Sequence, residues 1–213
     1  MSVERFFKPN EYYFDYYTKI GGICRFPNAT KKIFLTFDDG PDDLLPFISE
    51  QLDSYNAKAT FFVIGAKVEK KKHLVEMLFE SNHTIANHTY NHENGYNTPM
   101  RTYTDSVLQC NDLLLPFFLG NPPLFRPPHG RITEEQAILI AKTNKIILWD
   151  NLTYDFDRTF RQEMCLKYAI DNTQDGSIVV FHDNPIAKKN LVYALPRYLE
   201  YFATKGYSFE TIK

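Results

Sequence analysis

The chain has only three cysteines, Cys24, Cys110 and Cys165, scattered along 213 residues. An odd and widely spaced set excludes a disulfide framework and a cysteine zinc cage, which leaves buried thiols as the plain reading. Charge of one sign is missing too. The 24 basic and 26 acidic residues give a net charge of −2, so nothing electrostatic favours nucleic acid or an acidic membrane as partner. No apolar run is long enough for an integral membrane segment. The opening Met1 to Ile20 is aromatic and charged without a central apolar stretch, so it does not read as a signal peptide. A cytoplasmic location is therefore expected, unless a leader has been trimmed away. Internal repeats, low-complexity tracts and linkers that would split the domain are also lacking. What is present, at 44% hydrophobic residues, is enough to bury the core of one domain.

The patterning alternates strands with helices. Lys32 to Phe37 reads as a short buried strand that Gly40-Pro41 ends, Pro46 to Tyr55 as an amphipathic helix, and Ala59 to Ile64 as a second strand. A helix is predicted over Val68 to Phe79, a short strand near Thr84 to Ala86, a helix around Thr104 to Leu115 and a strand at Leu124 to Arg126. Thr133-Glu134-Glu135-Gln136 has the form of a capping box. A strand at Lys145 to Trp149, a helix near Phe160 to Ile170 and a strand at Ser177 to Phe181 follow. In the last helix Leu191, Leu195, Tyr198, Leu199 and Phe202 share one face, Gly206 ends it, and Tyr207 to Ile212 can form a final strand. About seven strands with helices between them predict an α/β fold with a parallel sheet, closed or nearly closed. Residues 1–30, rich in Phe and Tyr, are expected to pack as an extension on a domain spanning 31–213.

Two stretches carry chemistry. In Thr36-Phe37-Asp38-Asp39-Gly40-Pro41, adjacent carboxylates sit where a strand opens into a loop, the place where α/β folds collect their active groups. Neighbouring residues point in different directions, so one can bind a metal while the other moves a proton. A turn whose Asp side chains fold back on the backbone gives the same string without any function. His88-Thr89-Tyr90-Asn91-His92 places two imidazoles four residues apart, a separation that one helical turn brings to one side and that suits a shared ion. Incidental loop histidines are the alternative. Joined to a carboxylate, the pair makes a His-His-Asp set with open positions for water, as a catalytic metal site requires. Asp38, Asp39, His88, Arg126, Asp155 and His182 all fall at or just past the C-terminal ends of predicted strands, which is the geometry of barrel active sites.

These residues carry a resemblance. Thr-Phe-Asp-Asp-Gly-Pro, His-Thr-x-x-His, Arg126-Pro127-Pro128-His129-Gly130, Trp149 through Asp155-Phe156, and Val180-Phe181-His182-Asp183 occur in the order seen in polysaccharide deacetylases. These are the NodB-homology enzymes of carbohydrate esterase family 4, and the likeness runs from about Ile33 to the C-terminus. It implies a distorted (β/α) barrel and a metal-dependent hydrolase that removes acetyl groups from an N-acetylated sugar or glycan. By the same resemblance Asp39, His88 and His92 hold one divalent ion, zinc or another such as cobalt. Asp38 matches the catalytic base, His182 the catalytic acid, Asp155 the carboxylate that favours its imidazolium, and Arg126 the arginine that holds the base. Backbone N–H groups around Pro128, His129 and Gly130 would lie where the oxyanion forms. Trp149 and Phe156 offer apolar surface to the substrate or serve as core aromatics. Asp183 faces another way or anchors its loop.

The chain departs from the family pattern at His129, where tyrosine is usual, and at Phe156, where tryptophan is common. Both changes alter the walls of a sugar site and leave the metal and proton-transfer residues in place, so a shifted substrate preference is expected. Rival readings are a deacylase of a small or lipid-linked amide, and a sugar-binding module whose catalysis has lapsed. An intact base, metal triad and acid argue against the second, because binding alone needs no proton donor. A cytoplasmic enzyme of this kind would meet a soluble or membrane-linked precursor rather than an extracellular polymer.

Overall fold

The computed structural model describes residues 9–118 and 122–213. The first eight residues of the expected extension lie outside that range. Its elements in chain order are α1 (Glu11–Lys19), β1 (Lys32–Asp38), α2 (Leu45–Asp53), β2 (Ala59–Val63), α3 (Gly65–Lys70), α4 (Lys72–Glu80), β3 (Thr84–Asn87) and α5 (Met100–Leu114). They continue with β4 (Leu124–Phe125), α6 (Glu134–Ile140), β5 (Lys145–Ile146), β6 (Asn151–Leu152), α7 (Gln162–Asp171), β7 (Ile178–His182), α8 (Lys188–Thr204) and β8 (Ser208–Phe209). Seven strands run in the order β5-β4-β3-β2-β1-β7-β6, all parallel, and β8 pairs with the start of β1. The sheet curls into a half-barrel, the distorted (β/α) barrel that the sequence predicts, with eight helices around it. Among the described residues no ladder joins β5 to β6, so the barrel is open.

Strand alternation divides the core in two. Ile33, Leu35 and Phe37 of β1 point to one face with Phe61 of β2 and Phe181 of β7, where α2, α7 and α8 cover them. Phe37 stacks on Phe61 at 5.0 Å and lies 6.0 Å from Phe181. Phe34 of β1, Phe62, Ala86, Phe125, Ile178 and Val180 point to the concave face instead. There they meet Tyr13, Tyr17 and Ile20 of the extension, so α1 fills the hollow of the half-barrel. Thr36 and Asp38 share the parity of Phe34 and therefore also face inward.

Three local expectations change. The helix predicted over Val68 to Phe79 is two, because Lys71 leaves the helical region (φ −132°, ψ 40°). Its ammonium ties to Asp42 and Asp43 at 3.0 and 2.6 Å in the loop after β1. The strand predicted from Lys145 to Trp149 keeps its ladder only at Lys145–Ile146, since Ile147 then pairs with Ile23 of the extension. The two-residue strand β6 was not expected. It is held by Asn151 and Leu152 pairing with Val179 and Val180, and Asn151 and Leu152 have no alternation to reveal them. Among the described residues no helix is long and apolar enough to cross a membrane.

Candidate active site

The end of β1 explains how two adjacent aspartates separate. Asp38 is the last extended residue and stays inside, whereas Asp39 takes a left-handed backbone (φ 72°) that swings its side chain away. Gly40 then passes so close to Asp183 that a Cβ would meet the Asp183 Oδ2 at 2.5 Å, which only glycine avoids. Asp183 accepts from the Asp42 N–H at 2.7 Å, so it anchors the loop, as one of its two expected roles. Burial pushes the Asp183 carboxyl up to about 7.

Asp38 is gripped by a fully buried Arg126, whose guanidinium donates to Asp38 Oδ1 at 2.6 Å and to Thr36 Oγ1 at 2.8 Å. The same side chain donates to the carbonyls of Ile147 (3.3 Å) and Leu148 (2.9 Å) and lies 4.1 Å over the ring of Phe62. Burial disfavours the guanidinium charge, and the Asp38 carboxylate opposes that effect. Such a pair keeps the Asp38 carboxylate in one orientation. A single guanidinium nitrogen reaches Asp38, and it is shared with Thr36.

The second cluster is Asp39, His88 and His92, whose ligand atoms all lie within 4.8 Å of one another. The Nε2 atoms of His88 and His92 sit 3.5 and 3.1 Å from Asp39 Oδ1. The histidines do not share a helical turn: Thr89 and His92 are both left-handed (φ 62° and 63°), and a loop brings the rings to 5.1 Å. His88 Nδ1 lies 2.8 Å from the Arg126 carbonyl and donates to it, which leaves Nε2 with a free lone pair. That outer contact, one carboxylate and two imidazole donors match what a catalytic divalent ion takes. Burial alone would raise the Asp39 carboxyl, but its closeness to the His88 and His92 imidazoles and to His182 holds it well below the usual carboxylate range.

Across the sheet, His182 is the register partner of Asp38 on the neighbouring strand β7. Its ring Nδ1 lies 2.7 Å from Asp155 Oδ1, and its backbone N–H donates to Asp155 Oδ2 at 2.8 Å. Asp155 is wholly buried. Burial works against the imidazolium, yet Asp155, helped by Asp39 and Asp38, pushes the His182 pKa up to about 9. The ring of Phe156 meets His182 edge-on at 4.8 Å, an apolar wall beside the imidazole.

The turn Pro127–Arg131 closes the site. Pro127 and Pro128 have no N–H, Gly130 donates to Pro127 and Arg131 donates to Pro128, each at 3.0 Å. Among the described residues the His129 N–H has no acceptor, as an oxyanion donor requires. His129 packs its ring 4.6 Å from His92, and burial with the neighbouring imidazoles lowers its pKa. Trp149, only 7% exposed, lies in the core under Gly130, so it supports the turn, whereas Phe156 is half-buried. A groove of about 570 Å³ runs along Arg158, Pro185, Ile186, Lys188, Lys189 and Asn190, in the loops that follow Asp155 and His182 in the chain.

Sequence reasoning passed over Thr36, Asn184 and Asn190. Asn184 donates to Asp39 Oδ2 at 2.8 Å, and Asn190 donates to the Asp155 carbonyl at 3.0 Å. Thr36 was findable, because it stands two residues before Asp38 on the same strand face.

Comparison with known proteins agrees with this geometry. Residues 26–146 match the family model described as polysaccharide deacetylase. Two peptidoglycan-N-acetylglucosamine deacetylases of Bacillus cereus are 33% and 31% identical over 193 and 189 residues. Each alignment covers 87% of this chain, and 88% and 68% of those relatives. A solved peptidoglycan N-acetylglucosamine deacetylase, crystallised with a naphthyl-substituted N-hydroxybenzamide, superposes with a TM-score of 0.84 at 30% identity, covering 93% of this chain and 94% of that one. A pseudoenzyme of carbohydrate esterase family 4 from Bacillus anthracis is also similar (TM-score 0.78, 25% identity, 90% and 67% covered).

Proposed function

Because the chain belongs to the polysaccharide deacetylase family, we propose that it removes the acetyl group from N-acetylglucosamine residues of a glycan of the peptidoglycan type, with zinc as its ion. The observation that carries this reading is the pairing of a proton acceptor with a donor. Asp38 and His182 are register partners on adjacent strands, about 4.8 Å apart, beside the Asp39-His88-His92 cluster. Asp39, His88 and His92 would hold a divalent cation, which would supply Lewis acidity for the hydrolysis.

The chain's own groups do the rest. Asp38, oriented by Arg126, takes a proton from the attacking water as the water oxygen bonds to the acetamide carbon. The His129 N–H receives the negative charge that gathers on the acyl oxygen. As the C–N bond breaks, His182 gives its proton to the departing amine, and Asp155 holds the imidazole by Nδ1 so that Nε2 faces the reaction. Phe156 and the basic groove beyond it fit a sugar face and its neighbours along a chain.

Acetate release from N-acetylglucosamine oligomers and from peptidoglycan tests the reading, with zinc-loaded wild type beside Asp38→Asn. Wild type is expected to turn over and the variant to fall by about 10²- to 10⁴-fold with its zinc retained. No turnover by a wild type that binds zinc and sugar would instead make the protein a lapsed, binding-only member.

A further inference from the structure

The extension has a part in the site that its distance in sequence conceals. Tyr17 of α1 donates its hydroxyl to the Gly130 carbonyl, a buried hydrogen bond across 113 residues. One residue earlier, the Tyr16 hydroxyl donates to the Ile132 carbonyl at 3.2 Å. Tyr13, Tyr16 and Tyr17 brace one another, with ring centroids 4.6 Å apart for Tyr13–Tyr17 and 5.0 Å for Tyr16–Tyr17.

What these hydroxyls grip is the turn that presents the His129 N–H. His129 and Gly130 are successive left-handed residues (φ 59° and 66°), and for histidine that conformation is strained and persists only where its surroundings impose it. A peptide group is planar, so fixing its carbonyl fixes its N–H. The Gly130 carbonyl shares a plane with the Arg131 N–H. That N–H donates to the Pro128 carbonyl at 3.0 Å, and the Pro128 carbonyl shares a plane with the His129 N–H. One chain of two rigid planes and two hydrogen bonds therefore runs from the Tyr17 hydroxyl to the proposed oxyanion donor. Trp149 supports the turn from the core, where a Cβ on Gly130 would meet it at 2.9 Å.

We propose that α1 is a positioning element for the deacetylase reaction, with the Tyr17 hydroxyl aiming the His129 N–H through the Gly130 carbonyl. This inference rests on the deacetylase reading above. Tyr17 touches no reacting atom and acts only through the turn.

Tyr17→Phe tests it, since the variant keeps the ring and loses the hydroxyl. On an N-acetyl substrate kcat is expected to fall roughly tenfold at unchanged KM and zinc content, short of the 10²- to 10³-fold loss of deleting a donor. The loss should shrink on the matching N-trifluoroacetyl substrate, whose oxyanion needs less help. Independently of turnover, amide exchange at Gly130 and Arg131 should speed up about tenfold while β1 and β2 stay protected. Equal losses on both acyl groups, or unchanged exchange at the turn, would overturn the proposal. A wild type that releases no acetate refutes the deacetylase reading instead, and the exchange measurement still decides whether Tyr17 holds the turn.

Discussion

Arg126 and Asp38 are nearly without water, so each depends on the other. Removing one partner of a buried pair leaves an unpaired charge and costs about 3–5 kcal/mol. Urea unfolding of Arg126→Met should show a loss of that size, and adding Asp38→Asn to the same chain should recover part of it. The Asp155–His182 pair sets a pH response. Its pKa of about 9 lies above the free imidazole value of about 6.5, so its contribution to stability is complete below about pH 6.5. That contribution is lost as pH rises through about 9. The alkaline limb of kcat/KM should fall in the same range, and Asp155→Asn should move it to lower pH, as a pH–rate profile would record. At His129 the ring packs on His92 while the proposed oxyanion donor is the backbone N–H, so His129→Tyr should change the ratio of kcat/KM between two glycans. An unchanged kcat/KM on every substrate tried would refute that. Asp38, Asp39 and the histidines were legible because short-range spacing places them at strand ends. Asn184, Asn190 and Tyr17 were not, because each works through a contact that only the folded chain creates.

At the scale of elements, the capping box illustrates how far local chemistry reaches. Thr133 accepts from the Gln136 N–H at 3.2 Å and Gln136 Oε1 accepts from the Thr133 N–H at 3.0 Å, as the four-residue string predicts. The Gln136 amide also donates to the carbonyls of Gly95 (2.9 Å) and Thr98 (3.2 Å), which no local pattern announces. Thr133→Ala should therefore cost about 1 kcal/mol. Gln136→Ala should cost about 2–3 kcal/mol, since it breaks three bonds and leaves buried groups unpaired. Thermal unfolding of the two variants side by side distinguishes these values. The long strands and the amphipathic α8 were readable because their periodicity extends over several residues. The break at Lys71 and the two-residue β6 depend on partners elsewhere, Asp42 and Asp43 in one case and β7 in the other.

For the molecule as a whole, the site is held by hydrogen bonds independent of any ion. Asp39 has Asn184, His88 has the Arg126 carbonyl, and Asp38 has Arg126. Exhaustive chelation should therefore abolish acetate release while leaving far-UV circular dichroism unchanged, and added zinc should restore turnover. Loss of the fold on chelation would show instead that the ion is structural. The three cysteines behave as the sequence implies: all are buried and free, and burial pushes the thiols of Cys24 and Cys110 up to about 12.

The helix that plugs the half-barrel has a consequence for synthesis. α1 leaves the ribosome early, but Gly130 and Ile132, which it must grip, follow 113 and 116 residues after their tyrosine partners. Tyr13, Tyr16 and Tyr17 must wait in solution until the face that they grip exists. Completion of the interior and alignment of the His129 turn are then a single event. A chain interrupted before Pro127 would carry Asp38, Asp39, His88 and His92, but not the turn that α1 must grip.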